Sequence, residues 1–175
     1  MKTITCLLYF LFFVSIYTFA QEGYPTPPFK SNTLFYIQHS EGHNTYVYEA
    51  NMSDKQHFNN KNPINNYRIL YDKGGEIKPL TGIQQKFAYG IITKELGNNT
   101  FEFEIVSYKN QPLYLKMDKA GKPYVETTLN GHKFNLHHIF IKQKEGTSGL
   151  GTQVEYLIFY GTDHRGTKVR EKLIP

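Results

Sequence analysis

The sequence predicts an all-β protein: an antiparallel meander of about eight to ten strands that forms a small barrel or a sandwich, with at most one short helix. The first reason is a period-two alternation of apolar and polar residues, clearest in the FEFEI run at residues 101–105. The second is turn chemistry between such runs, strongest at Asn130 and Gly131, a dipeptide typical of tight hairpins.

The same alternation places the individual strands. They are expected, in chain order, at residues 35–37, 45–50, 67–71, 101–105, 113–117, 134–141, 154–160 and 168–173. Turns are expected at residues 41–44, 96–99, 118–121 and 130–131, which contain Gly, Asn and Asp. Residues 80–87 show no alternation, so one or two helical turns are expected there.

Residues 1–20 are typical of a secretory signal peptide. Lys2 supplies a positive charge, an apolar segment follows, and the small residue Ala20 precedes an expected cut at Gln21. The apolar segment is shorter than the roughly 20 residues that span a bilayer. We therefore expect a protein exported to the periplasm or the exterior, with no membrane span once the leader is removed.

The remaining chain is expected to hold an extended N-terminal arm at residues 21–32, rich in proline, and a single all-β domain at residues 33–175. An outer-membrane barrel is the alternative architecture. Most of the predicted strands are about seven residues long, however, which is short for the 9–11 residues of a spanning strand. We therefore favour the small barrel or sandwich.

Composition excludes several classes of function. The only cysteine is Cys6, inside the leader, so disulfides, thiol nucleophiles and thiolate metal sites are excluded from the mature chain. The net charge is +5, but the lysines are scattered, which argues against nucleic acid as a partner. No histidine lies at a recognised ligand spacing, so we expect no metal and no cofactor.

Two charged patterns are interpreted as structural. Glu102 and Glu104 share a strand face about 6.5–7 Å apart, near the separation of a glycosidase pair. They are more simply the solvated face opposite Phe101 and Phe103. The alternating cations of residues 168–172 are interpreted as protection of an edge strand.

The tyrosines give the candidate binding site. Rows of them on predicted strands can line a cavity, or can form a core whose hydroxyls emerge at its rim. Glu49 and Arg68 carry charge onto faces that are otherwise apolar, so either they meet and offset each other or one faces a site. The candidate ligand-binding residues are Tyr36, Tyr48, Glu49, Arg68 and Tyr89.

Several stretches resemble a family of small exported bacterial proteins known only as a domain of unknown function. They are LFYIQ at residues 34–38, NTYVYEA at 44–50, NPI at 62–64, KFAYG at 86–90, YGTD at 160–163 and GTKVREK at 166–172. The resemblance implies a bacterial, periplasmic setting and carries no activity with it.

A non-catalytic module that binds a small-molecule, lipid or glycan ligand of the cell envelope is the function we expect. The alternatives are a hydrolase of envelope polymers, with carboxylates such as Glu49, Asp163 or Glu171 as acid and base, and a structural or partner-binding protein. Whether the protein is an enzyme, and its oligomeric state, are left open at this point.

Overall fold

The computed structural model describes residues 23–175. It contains strands β1 (Thr33–His39), β2 (Gly42–Ala50), β3 (Ile64–Leu70), β4 (Glu76–Pro79), β5 (Ile91–Gly97), β6 (Thr100–Ile105), β7 (Tyr108–Met117), β8 (Pro123–Leu129), β9 (His132–Gln143), β10 (Val154–Thr162) and β11 (Lys168–Leu173). The one α-helix of this part of the chain, α1 (Gly82–Phe87), lies between β4 and β5.

All eleven strands belong to one curled sheet, which forms a half-barrel. Its main path runs β4-β3-β2-β1-β9-β8-β7-β6-β5, and β10 and β11 extend from β9. One pair, β1 with β9, is parallel, while the other pairs between these strands are antiparallel. Strand β9 bonds to three neighbours: β8 along its first residues, β1 along its later residues, and β10 on its other edge.

Strand β9 has a β-bulge between the residues that pair with β8 and the residues that pair with β1. Leu136 pairs with Gly161 and His138 with Tyr160, so His137 is an extra residue without a partner on β10. Gly161 makes the bulge possible, because a Cβ atom there would lie 2.1 Å from the backbone oxygen of Asn135. The extra residue bends β9. The two arms of the sheet, one formed by β1 to β4 and the other by β5 to β8, diverge at this bend.

The core lies mainly on the concave face. Its largest cluster combines residues from both arms of the sheet, including Phe35, Tyr48, Phe103 and Phe159. A smaller cluster on the opposite face contains Tyr36, Val47 and Ile69. The period-two alternation thus sends successive side chains of β1 and β2 into two separate clusters.

The all-β class and the single short helix are confirmed. All eight predicted strand positions fall within observed strands or overlap them, and the predicted turn at residues 130–131 has positive φ at both Asn130 and Gly131. Helix α1 falls inside the segment predicted to be helical, where Thr81 and Gln84 form a reciprocal capping box.

The finer prediction of a purely antiparallel barrel or sandwich is wrong, since the sheet is mixed and only half-closed. There are also more strands than the sequence predicted, because β4, β5 and β8 were missed. Strand β5 is exposed along nearly its whole length, and β4 has four residues. In β8 the inward positions include Pro123 and Thr127, so no apolar alternation marks the strand.

Residues 23–32 contain no helix or strand, and Tyr24 and Pro25 lie against Ser40 and Gln38 through hydrogen bonds. The predicted leader lies outside the described residues and stays a prediction, as do the domain boundaries. Within residues 23–175, no helix has the length and apolar character needed to cross a membrane.

Candidate functional site

Tyr89 lies in the segment between β4 and β5 and packs against the main core cluster of the half-barrel. It follows α1, and its carbonyl oxygen accepts hydrogen bonds from the Tyr48 hydroxyl at 2.7 Å and the Asn66 amide at 3.0 Å. The chain turns sharply at Gly90, where a Cβ atom would lie 1.8 Å from the Gln85 carbonyl oxygen. Backbone and side-chain contacts therefore fix the position of Tyr89.

The ring of Tyr89 is held on both its face and its edge. It stacks on Tyr46 with ring centroids 3.5 Å apart and packs edge-on against His39. The Tyr89 hydroxyl lies 2.7 Å from Nε2 of His39. These contacts join α1 to β1 and β2, so the segment between the two sheet edges is anchored to the arm that contains β1.

Next to Tyr89 is a cavity of about 290 Å³. Its walls are mainly branched aliphatic and aromatic side chains of β1, β6, β7, β9 and β10, namely Ile37, Ile105, Leu113, Ile139, Ile141, Leu157 and Phe159. The lining also includes the exposed residues Ser107 and Val154 and the half-buried Tyr108. The cavity therefore opens to solvent next to these three residues.

Gln111 and Ser107, two of the polar side chains of the cavity, already have partners inside the protein. The Gln111 amide donates to Thr127 Oγ1 and to the Thr128 carbonyl, both at 2.8 Å. The Ser107 hydroxyl donates to the Ala88 carbonyl at 2.6 Å. A molecule in the cavity would therefore meet apolar surface and few free donors.

Burial favours the neutral forms of Tyr48, Tyr89 and His39. Desolvation raises the pKa of both Tyr48 and Tyr89 well above the ordinary value, with further increases from neighbouring tyrosines. Desolvation also lowers the pKa of His39 from 6.5 to about 4. At neutral pH the Tyr89–His39 pair therefore carries no charge, which suits an apolar cavity.

We expect the free energy of unfolding to fall as the pH is lowered from 7 to 4. Between the unfolded pKa of 6.5 and the folded pKa of about 4, the unfolded imidazole of His39 binds a proton that the folded one does not. The loss amounts to up to about 3 kcal/mol. Urea unfolding at several pH values measures it.

His39→Gln is the matched variant, since glutamine keeps a hydrogen-bonding group beside Tyr89 but does not titrate. Its stability should depend less steeply on pH than that of the wild type. Some dependence will remain, because burial also lowers the pKa of His137. Equal slopes for the two proteins would contradict the assignment to His39.

The structure separates the five candidate ligand-binding residues. Tyr89 lines the cavity. Tyr48 is fully buried behind it, stacked on Phe35 with ring centroids 4.4 Å apart. Tyr36 lies in the cluster on the opposite face, stacked on His138 at 4.3 Å, and burial raises its pKa to about 12.

Glu49 and Arg68 do not meet. Arg68 pairs with Tyr46 and Glu49 with Asn65, and since neighbouring residues of a strand point to opposite faces, the two charges lie on opposite sides of the sheet. Glu49 accepts a hydrogen bond from the Tyr67 hydroxyl at 2.8 Å and lies 3.1 Å from the Lys30 amine. Its charge is therefore offset by Lys30, and of the two alternatives the one in which Glu49 meets Arg68 is excluded.

The other carboxylates of the hydrolase alternative also have partners of their own. Asp163 accepts hydrogen bonds from the backbone amides of Arg165 and Thr167 within a turn. Glu171 accepts from Asn130 and contacts His132. Within the described residues, no hydrogen bond or ion pair joins any two of these three carboxylates, and no group of His, Cys, Asp and Glu could hold a metal ion.

Sequence reasoning missed most of the cavity wall. Ile105, Leu113 and Leu157 lie on predicted strands, but alternation does not distinguish a cavity wall from a packed core. The exposed Ser107 and half-buried Tyr108, which mark the opening, lie at the β6–β7 turn. Alternation stops at every turn of the sheet, so it does not distinguish this turn as the opening.

A known protein family matches this chain over nearly the whole sheet. A family model described as a domain of unknown function (DUF4833) matches residues 35–172, which span β1 to β11. The chain belongs to the DUF4833 family. No curated protein and no solved structure matches it. For this DUF4833 protein, function is therefore argued from the site itself.

Proposed function

We propose that this protein is a non-catalytic binding module that holds a small amphipathic ligand by its apolar part in the half-barrel cavity. The observation that carries the proposal is the apolar wall of a cavity of about 290 Å³ beside Tyr89. Its volume is near the lower end for small-molecule pockets, about 300–1,000 Å³, so only part of a larger ligand would be enclosed.

The wall chemistry favours a lipid-like tail over a glycan. A sugar needs several hydrogen bonds to replace those it loses to water. The Gln111 and Ser107 donors of this cavity are already bonded within the protein. An aliphatic or aromatic tail needs only apolar contact, and its polar end can stay in solvent at the opening beside Ser107 and Tyr108.

The expected export to the periplasm or exterior agrees with such a role, because amphipathic molecules are abundant in the cell envelope. The two alternatives have less support. The carboxylates of a hydrolase are held separately by Lys30, by turn amides and by Asn130. A partner-binding protein would use an exposed sheet edge such as β5, which is a common feature of open sheets.

We expect decanoate and N-phenyl-1-naphthylamine to bind saturably, and Ile141→Phe to weaken both by about tenfold or more by filling the cavity. The matched control is Ile92→Phe, the same substitution at a residue that is 49% exposed on β5. Fluorescence titration and calorimetry measure the affinities, and urea unfolding checks that both variants fold.

Two results would count against the proposal. One is the absence of saturable binding by either probe. The other is equal affinity of the Ile141→Phe and wild-type proteins, which would place the apolar probe elsewhere on the molecule.

A further inference from the structure

A second depression lies along the other half of β9. The cavity uses Ile139 and Ile141, whereas this depression uses residues 133–137 of the same strand. It consists of two adjoining hollows of about 1030 Å³ and 780 Å³ that share Ser31, Lys122 and Pro123. We call it the bulge groove, lined chiefly by residues 29–33, 52–55, 118–126, 133–137 and 162–164.

The β-bulge aims a histidine at this groove. His137 is the extra residue of the bulge, lines the groove, and has Nε2 2.9 Å from the Thr162 hydroxyl. Bulges often reorient a side chain next to a functional site. The bulge and Gly161 therefore place an imidazole and a hydroxyl together at the groove wall.

The acidic groups of the groove are already occupied. Asp118 accepts hydrogen bonds from the backbone amides of Ala120 and Lys122, each at 2.8 Å. Glu126 contacts the amines of Lys116 at 2.6 Å and Lys133 at 2.9 Å. Asp54 accepts from two backbone amides and from the ring of His57. A cation entering the groove would have to displace these donors.

The basic groups of the groove are not all occupied. Lys122, at the junction of the two hollows, has no hydrogen-bond or ion-pair partner for its amine among residues 23–175, and the same holds for Lys55 and the ring of His164. Burial, together with the charge of Lys122, lowers the pKa of His137. In this groove the carboxylates already accept hydrogen bonds, whereas some amines have no partner. An anion could accept hydrogen bonds from those amines.

We propose that the bulge groove binds an oxyanion, the carboxylate or phosphate of a small molecule, with Lys122 as its principal contact. Lys55 adds a second amine in one hollow, His164 adds a ring that can donate a hydrogen bond in the other, and the Thr162–His137 pair provides a polar wall. The half-buried ring of Tyr124 and the exposed ring of Phe29 offer apolar surface for the body of such a ligand. This site is independent of the cavity beside Tyr89.

Titration of the ¹⁵N-labelled protein at constant ionic strength tests this site. Inorganic phosphate and glucuronate are the probes, so the two arms separate phosphate from carboxylate recognition. We expect saturable shifts of the amides near Lys122, His137 and Thr162 with at least one probe. Lys122→Gln should weaken binding by about tenfold. Lys109→Gln, at an exposed lysine on the β6–β7 hairpin, should leave it unchanged.

The proposal is overturned if neither anion gives saturable shifts, or if Lys122→Gln and Lys109→Gln have the same effect. The cavity variant Ile141→Phe should bind the anion as the wild type does. If it instead loses the anion, the ligand belongs to the cavity and the bulge groove is not a separate site. Failure of decanoate to bind would leave these anion results unaffected, so the two proposals can fail separately.

Discussion

Gly161→Ala is expected to lower the free energy of unfolding by about 3 kcal/mol or more. The new methyl group would lie 2.1 Å from the carbonyl oxygen of Asn135 and 2.5 Å from Cδ2 of Phe134. The nearest clash is with backbone, so no side-chain rotation relieves it. Strands β9 and β10 would have to separate at the bulge, which is where the two arms of the sheet diverge. Urea unfolding measures the loss.

Gly82→Ala is the control for this substitution. A Cβ atom at Gly82 meets nothing within 4 Å, and the residue lies in α1, where alanine is the better helix former. We expect no loss of stability, or a gain of up to about 1 kcal/mol. A wild-type free energy of unfolding in Gly161→Ala would mean that the β9–β10 contact is looser than the structure shows.

The parts of the fold that the sequence predicted are those where alternation and burial coincide. In β6, the buried Phe101, Phe103 and Ile105 alternate with half-exposed residues, so the strand and its inward face were both predicted. Strand β5 pairs with β6 but has almost no buried face, so nothing in its pattern distinguished it from a loop. Edge strands are held by backbone hydrogen bonds, which side-chain patterns do not report.

The parallel pairing of β1 with β9 was also beyond the sequence pattern. Tyr36 pairs with His138 across about a hundred residues of chain, and alternation within each strand carries no information about its partner. The bulge at His137 depends on Gly161 in another strand, so it too is a property of the pair and not of either segment.

The candidate site was predicted only in part, for a related reason. The tyrosine rows were recognised, and Tyr89 does line the cavity. Whether a tyrosine faces a cavity or a packed core depends on which side chains of other strands pack against its ring. Phe35 stacks against the ring of Tyr48 with an interplanar angle of 6°. For Tyr89 the neighbouring volume is left partly empty.

Tyr48→Ala should therefore lower the free energy of unfolding by about 4 kcal/mol, since it deletes a fully buried ring and leaves Phe35 without its stacking partner. Tyr48→Phe should cost only about 1 kcal/mol. It removes the hydroxyl that bonds the Tyr89 carbonyl at 2.7 Å, but that carbonyl keeps its bond to Asn66. Urea unfolding of the two variants measures the difference.

The same pair of variants decides which role Tyr48 has. If its ring belongs to the core, as the stacking on Phe35 indicates, Tyr48→Phe will bind decanoate with wild-type affinity. If its hydroxyl contacts the ligand, Tyr48→Phe will lose affinity while its stability stays nearly unchanged. We expect the first result, because the hydroxyl is already bonded to the Tyr89 carbonyl and no part of Tyr48 lines the cavity. Of these two tyrosines, Tyr89 is then the one placed to contact a molecule in the cavity.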